Sequence, residues 1–350
     1  MRQLLGRTTL ELEEIARSHG LPAYRGRQIA RWLYRRGSAL EAMTDLPAAT
    51  RTALAGEFES GLCAVAHREV AADGTTKYLV RAADGELVEC VHLPYADRVS
   101  VCLSSQVGCA AGCTFCATAL GGFSRNLTAG EIAGQLVAMQ ADRPDRRVSH
   151  AVYMGMGEPL LNYDNVLASV RLLTEEIGLS ARGVTLSTVG VVPGILRLAG
   201  EAIPLTLALS LHAPDDALRE RLVPTARKWK LDQILAACGE YHARTGRNLT
   251  FEYLLLAGVN DSPEQARALA DRIQGLPGNV NLIPFNHVAT PAGFRRPAPE
   301  RVRAFREALV GAGRPTTQRM ERGHAVSAAC GQLRRAVLPR IAPRATPGSR

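Results

Sequence analysis

Hydrophobic and polar positions along this chain repeat with two different periods, and the change of period marks out its elements. From Thr9 to about Ala55, Leu10, Ile15, Ile29, Trp32 and Leu33 recur at helical spacing, with Pro22 and Pro47 as interruptions. Short helices are expected there, as a small N-terminal module over residues 1–60. Between Lys77 and Leu93 the period falls to two. Lys77–Arg81 and Leu87–Leu93 alternate around Ala83-Asp84-Gly85, as the arms of a β-hairpin do. The hairpin reads as a linker over 61–94 that delivers the chain to the next domain.

Beyond Val99 short apolar runs alternate with longer amphipathic ones. Ser100–Ser104, His150–Met154, Gly183–Ser187, Leu205–Leu211, Leu249–Leu256 and Val280–Pro284 read as strands, and Thr128–Gln140, Tyr163–Ile177 and Asp232–Thr245 as helices. Six such βα units predict an α/β domain with a parallel sheet over residues 95–333. Repetition alone fits an open sheet as well as one curved into a barrel. From Arg322 onward there are six arginines and no acid, with Pro339, Pro343 and Pro347 near the end, so 334–350 reads as a basic, disordered tail.

Composition narrows the function classes. With 46% hydrophobic residues in 350, the chain can fill a sizeable core. It has no apolar run of about 18 residues to cross a bilayer, and its start is too charged for a signal peptide, so a soluble cytoplasmic protein without a membrane partner is expected. Lys and Arg number 42 against 33 acids, a net charge of +9 that favours a polyanionic partner such as RNA. The stretch Tyr24–Arg36 sets five arginines among aromatics. It suits phosphates and stacked bases, and equally a solvated basic face with Trp32 in the core.

Eight cysteines in a chain this long are too sparse for a disulfide scaffold, and three of them cluster. Cys109-Ala110-Ala111-Gly112-Cys113-Thr114-Phe115-Cys116 spaces its thiols C-x3-C-x2-C after a predicted strand. Soft thiolates hold iron–sulfur clusters or zinc. A structural zinc site normally uses C-x2-C pairs and needs a fourth ligand, and no fourth Cys or His stands beside these three. Three ligands on one loop instead leave one iron of a [4Fe–4S] cluster without a protein ligand.

This loop resembles that of the radical S-adenosylmethionine (SAM) superfamily. Ser104–Cys109, Gly122–Thr128, Met154-Gly155-Met156-Gly157-Glu158-Pro159-Leu160, Leu186–Thr188, Ser210–His212, Asn281–Asn286 and Ala328–Leu333 narrow the resemblance to the RlmN/Cfr family of rRNA adenine methyltransferases, the RlmN branch in particular. The resemblance runs from about Tyr24 to Leu333. It implies a partial (β/α)6 TIM-type barrel, a [4Fe–4S] cluster on Cys109, Cys113 and Cys116, and SAM bound by Gly157, Glu158, Ser187, Ser210, Leu211, His212 and Asn286. It implies further that Cys330 is the thiol that is methylated, that Cys102 resolves it, and that Glu89 accepts a proton. Unaided, Cys102 and Cys330 read as buried structural thiols and Glu89 as a solvated strand residue.

Adenine C2 and C8 are electrophilic carbons and cannot attack a sulfonium methyl directly. The resemblance supplies a route: the methyl passes to Cys330, is activated there by hydrogen removal, adds to the base, and is freed when Cys102 attacks Cys330. The disulfide so formed requires reduction, and the cluster requires an electron donor such as flavodoxin or ferredoxin. The expected partner is 23S rRNA, with a tRNA adenine as a second target, and a monomer is the expected state. C2 methylation is the leading reading; C8 methylation, a noncatalytic metal-containing RNA-binding protein, and a radical enzyme acting on a peptide or small molecule are the others.

Overall fold

The computed structural model describes residues 1–288, 292–319 and 332–333. The chain opens with β1 (Arg2–Gln3), followed by helices α1 (Thr9–Ser18), α2 (Tyr24–Arg31) and α3 (Ala48–Glu57). It then enters β2 (Phe58–Glu59), which pairs in parallel with β1. Helix α1 starts where it does because Thr8 and Glu11 cap it reciprocally, and it buries Leu12, Ile15 and Ala16. The predicted N-terminal helices are therefore present. Their Leu12, Ile29, Leu33 and Leu54 belong to the same continuous core as the sheet beyond. Thr9 also donates to Glu176, through its backbone nitrogen at 2.8 Å and its hydroxyl at 2.5 Å, across that join.

In the arginine-rich stretch several side chains have partners within the chain. Trp32 is buried in the core and donates to Asp45 Oδ1 at 2.6 Å. Arg27 pairs with Glu13, Arg31 with Asp45, Arg35 donates to the Ile177 carbonyl, and Arg36 lies over the Trp32 ring. These contacts tie the stretch to the rest of the module, while Tyr24 and the Arg27 and Arg31 side chains stay exposed.

Next comes an antiparallel meander of β3 (Ala64–Val70), β4 (Thr76–Arg81) and β5 (Leu87–Pro94). The hairpin read from the alternation is β4–β5. It does more than link: β5 pairs antiparallel with β6 (Val99–Cys102), so the meander extends the main sheet. The remaining elements are β7 (Gln106–Gly108), α4 (Ala117–Leu120), β8 (Phe123–Asn126), α5 (Ala129–Asp142), β9 (His150–Tyr153), α6 (Tyr163–Arg171), β10 (Val184–Thr188) and α7 (Val192–Gly200). They continue with β11 (Thr206–Ser210), α8 (Asp216–Leu222), α9 (Leu231–Thr245), β12 (Leu249–Leu255), α10 (Pro263–Arg272), β13 (Gly278–Pro284), α11 (Pro299–Gly311) and β14 (Thr316–Gln318).

The ten-stranded sheet runs β14-β13-β12-β11-β10-β9-β6-β5-β4-β3, and from β14 to β6 neighbouring strands are parallel. All six predicted parallel strands are present, and β14 adds a seventh. The two ends of the sheet, β14 and β3, are not paired to each other among the described residues, so the barrel is partial.

Register shows which face does what. Side chains alternate along a strand and paired residues share a face. Val101, Ala151, Leu186, Leu207, Leu209, Phe251, Val280 and Leu282 are all buried, on the face that packs into the core. The other face carries Cys102, Val152, Thr185, Ser187, Thr206, Ser210, Thr250, Glu252 and Asn281, mostly half-buried and largely polar. That polar face lines the cavity described next.

Candidate active site

The cysteine loop is held by backbone geometry on both sides. Strands β7 and β8 pair antiparallel around it, and Cys109 N donates to Gly122 O at 2.9 Å. Gly108 sits at φ +80°, where a β-carbon would lie 1.9 Å from that same carbonyl oxygen, so only glycine lets the two ends close. Behind the loop, Thr114 N donates to Leu222 O at 3.0 Å and Thr225 Oγ1 donates to Ala111 O at 2.7 Å. Ala111, Cys113 and Phe115 pack there against Leu218, Leu222, Val223 and Ala226 in a small core of their own.

All three thiols face one open-mouthed cavity with an empty volume of about 980 Å³, its mouth included. Burial pushes the Cys109 thiol up to about 12, with the neighbouring Glu158 and Cys116 adding to the rise, and pushes Cys113 up as well. Among the described residues no three His, Cys, Asp or Glu side chains are grouped so as to hold a single metal ion. A tetrahedral zinc site draws its sulfurs to within about 4 Å of one another, whereas the thiolates of a cubane cluster each take a different iron and stand further apart. Three thiols from one loop that face a common cavity are the soft donor set an iron–sulfur cluster takes.

The opposite wall is built from strand ends. After β9 the chain turns at Gly157, at φ +102°, where a β-carbon would meet the Gln106 side chain and Ser105 Oγ at 2.7 Å. Gln106 Oε1 in turn accepts from Glu158 N at 3.0 Å. Glu158 is buried, with Oε1 accepting from Leu160 N at 3.0 Å and Oε2 from Val189 N at 2.8 Å. Burial raises its carboxyl to about 7 despite those hydrogen bonds and a nearby arginine. Ser187 Oγ and Ser210 Oγ lie 3.3 Å apart at the ends of β10 and β11, both on the cavity wall.

His212 lines the cavity at φ +62°, its ring edge-on to Phe115 at 5.1 Å. Its Nδ1 accepts from Leu254 N at 3.1 Å, and burial beside Arg219 lowers it to about 3, so the imidazole is neutral. Leu211 differs in kind. Its side chain is fully buried, its nitrogen donates to Glu252 O at 3.0 Å and its carbonyl accepts from Arg219 Nε at 3.1 Å. Asn286 is buried just after β13.

Glu89 and Cys102 lie on β5 and β6, buried and on the same sheet face as Ser187 and Ser210. Lys77 Nζ stands 3.6 Å from Glu89 Oε1, and Ser104 Oγ donates to Glu89 O at 2.6 Å. Cys330 lies outside the described residues, as does the 334–350 tail. Leu333, three residues after Cys330, lines the cavity, and its carbonyl accepts from the Thr118 hydroxyl.

Comparison with known proteins gives this arrangement its relatives. The profile of the radical SAM superfamily matches residues 103–270, and that of the "Ribosomal RNA large subunit methyltransferase N-terminal domain" matches 2–59. A curated protein of Symbiobacterium thermophilum, described as "Probable dual-specificity RNA methyltransferase RlmN", is 49% identical over 336 residues, covering 95% of this chain and 91% of its own. The chain belongs to the RlmN family of radical SAM methyltransferases.

A second RlmN relative, from Desulforudis audaxviator, is 51% identical over 311 residues, covering 88% of this chain and 97% of its own. The crystal structure of a radical SAM methyltransferase from Sphaerobacter thermophilus superposes with a TM-score of 0.91 at 46% identity, covering 95% of this chain and 99% of that one. Within this RlmN-family fold the structure adds residues that the sequence did not single out. Glu252, in the otherwise apolar β12, turns into the cavity, accepts from Asn281 Nδ2 at 2.8 Å, and is held up in its acid range by burial. A lone acid in Leu249-Thr250-Phe251-Glu252-Tyr253-Leu254-Leu255 was the available signal. Gln106, Asn162 and Gln135 knit the cysteine loop to α5 and to the turn after β9 through buried hydrogen bonds. No sequence pattern marks them, because each pairs with a residue far along the chain.

Proposed function

We propose that this chain methylates C2 of an adenine in 23S rRNA, with a tRNA adenine as a second target, through a methyl group carried on Cys330. One observation carries the reading: the three-thiol loop, Glu158, Ser187, Ser210, His212 and Leu333 all line one cavity. Covalent geometry ties the Cys330 α-carbon to within about 11 Å of that of Leu333 in any conformation. The relatives' description as dual-specificity RNA methyltransferases and the match to an rRNA methyltransferase N-terminal domain support RNA as the substrate. The net charge of +9 agrees with it.

Cys109, Cys113 and Cys116 would hold the [4Fe–4S] cluster. Gly157, Glu158, Ser187, the Ser210–His212 segment and Asn286 would hold SAM, with the Glu158 carboxylate facing its ammonium and neutral His212 closing the pocket beside Phe115. When bound, cluster and SAM supply the methyl group and the hydrogen-abstracting power. The chain's own residues do the rest. Cys330 accepts the methyl group and, after one of its hydrogens is removed, delivers the carbon to the adenine ring. Glu89, paired with Lys77, takes the proton that the ring carbon must lose, and the single electron that the radical adduct must also shed would go to the bound cluster. The Cys102 thiolate attacks the Cys330 sulfur, which breaks the bond to the transferred carbon; that carbon leaves with the electron pair and takes up a proton to become the methyl group, and the disulfide is left for an external thiol reductant to reopen.

Nucleoside mass spectrometry after anaerobic reaction of the reconstituted enzyme with rRNA fragments tests the reading. 2-Methyladenosine is expected. 8-Methyladenosine alone would transfer the assignment to the Cfr-type reaction, and no methylated adenosine from cluster-loaded enzyme would refute both.

A further inference from the structure

Arg219, on α8, is fully buried, an expensive place for a guanidinium. Its hydrogen-bond partners are carbonyls: Nε donates to Leu211 O at 3.1 Å, and Nη2 donates to Val189 O at 2.5 Å and Ser210 O at 3.2 Å. The third nitrogen, Nη1, is buried with no hydrogen-bond partner among the described residues. Three carbonyls can hold this side chain in place, but none of them carries a negative charge to set against its own. The acidic groups that bear on it are, in order of strength, Cys113, Asp216, Cys238 and Glu158. Cys113 packs in the same small core as Leu218 and Leu222, one residue before Arg219 and three after it on α8. A neutral thiol gives nothing back to a buried cation, whereas a metal-bound thiolate does.

We infer that Arg219 is a positioning residue for the iron–sulfur group: a buried cation that ties together the ends of β10 and β11 and counters the negative charge of the Cys113 side of the cluster. The inference rests on the cluster reading given above. A fixed positive charge stabilises the more negative, reduced state of a cluster, so Arg219 eases its reduction. Nothing about Arg219 in the sequence suggests this, since an arginine on a short helix beginning at Asp216 reads as a solvated face.

The test is a redox titration of the reconstituted full chain, followed by the electron paramagnetic resonance of the reduced cluster. Arg219→Met is expected to lower the reduced-to-oxidised ratio at a fixed ambient potential at least tenfold, a 59 mV shift for one electron. Arg219→Lys, which keeps the charge but not the three carbonyl bonds, is expected to stay near the wild-type potential while the apo chain melts earlier. If Arg219→Met does not load, Arg219→Gln takes its place. Failure of both neutral variants to load while Arg219→Lys loads at the wild-type potential also supports the charge role. An unchanged potential in a loaded neutral variant, a potential in Arg219→Lys shifted as far as in the neutral variants, or loss of loading in all three together overturns it. A wild type that binds no cluster would instead defeat the cluster reading itself, so the two failures are distinguishable.

Discussion

Cys102 stands directly across from Val91 on the neighbouring antiparallel strand, which places it on the same sheet face as Glu89, two residues along from Val91. Such diagonal neighbours have α-carbons about 7–8 Å apart. The proposed proton acceptor and the proposed resolving thiol thus stand side by side on adjacent strands, on the sheet face that also carries Ser187 and Ser210.

Removing the resolving thiol should stop the reaction with the RNA attached. Cys102→Ala is expected to accumulate a protein–RNA adduct that survives denaturing electrophoresis and collapses on ribonuclease treatment, with methylated product falling at least a hundredfold. Glu89→Gln should also accumulate an RNA-linked protein, one that still carries the ring proton because that proton has no acceptor. Normal turnover by Cys102→Ala would remove this residue from the mechanism.

Glu158 gives the apo protein a pH dependence of defined sign. Burial raises its folded value to about 7 from an ordinary 4.5. A carboxyl that holds its proton more tightly when folded favours the native state at low pH, and that advantage is lost as pH rises from about 4.5 through 7. The loss amounts to about 3 kcal/mol. Urea midpoints of the apo chain across this range should fall more steeply in the wild type than in Glu158→Gln; parallel curves would show that the group titrates alike in both states.

The cysteine loop should be intolerant of a single methyl group at its hinge. Gly108→Ala puts a β-carbon against the Gly122 carbonyl at a positive φ. The expected loss is on the order of 2–4 kcal/mol, with iron and sulfide content after reconstitution falling as β7 and β8 part. A Gly108→Ala chain that melts and loads like the wild type would contradict the close approach on which this rests.

Much of this was legible in the sequence, for a physical reason. The six core strands and their helices declare themselves because one sheet face is buried and apolar, and the cysteine loop does so because its ligands sit within eight residues of one another. What stayed hidden depends on contacts distant in sequence. The fusion of β3–β5 onto the main sheet is invisible in a hairpin signal, which reports a turn and not what its outer strand pairs with. The pairing of Arg27 with Glu13 and of Arg31 with Asp45 leaves no mark in the spacing of Tyr24–Arg36. Arg219 is hidden most deeply, since its burial follows from how α8 packs and not from its neighbours in the chain.

The central claim is that the transferred carbon rides on a sulfur of this chain and loses one hydrogen before it reaches the base. Supplying SAM with a trideuterated methyl group and weighing the methyladenosine formed tests it most directly. The account predicts a methyl group with two deuterium atoms, the third appearing in the deoxyadenosine released; an intact trideuterated methyl on the base would contradict it.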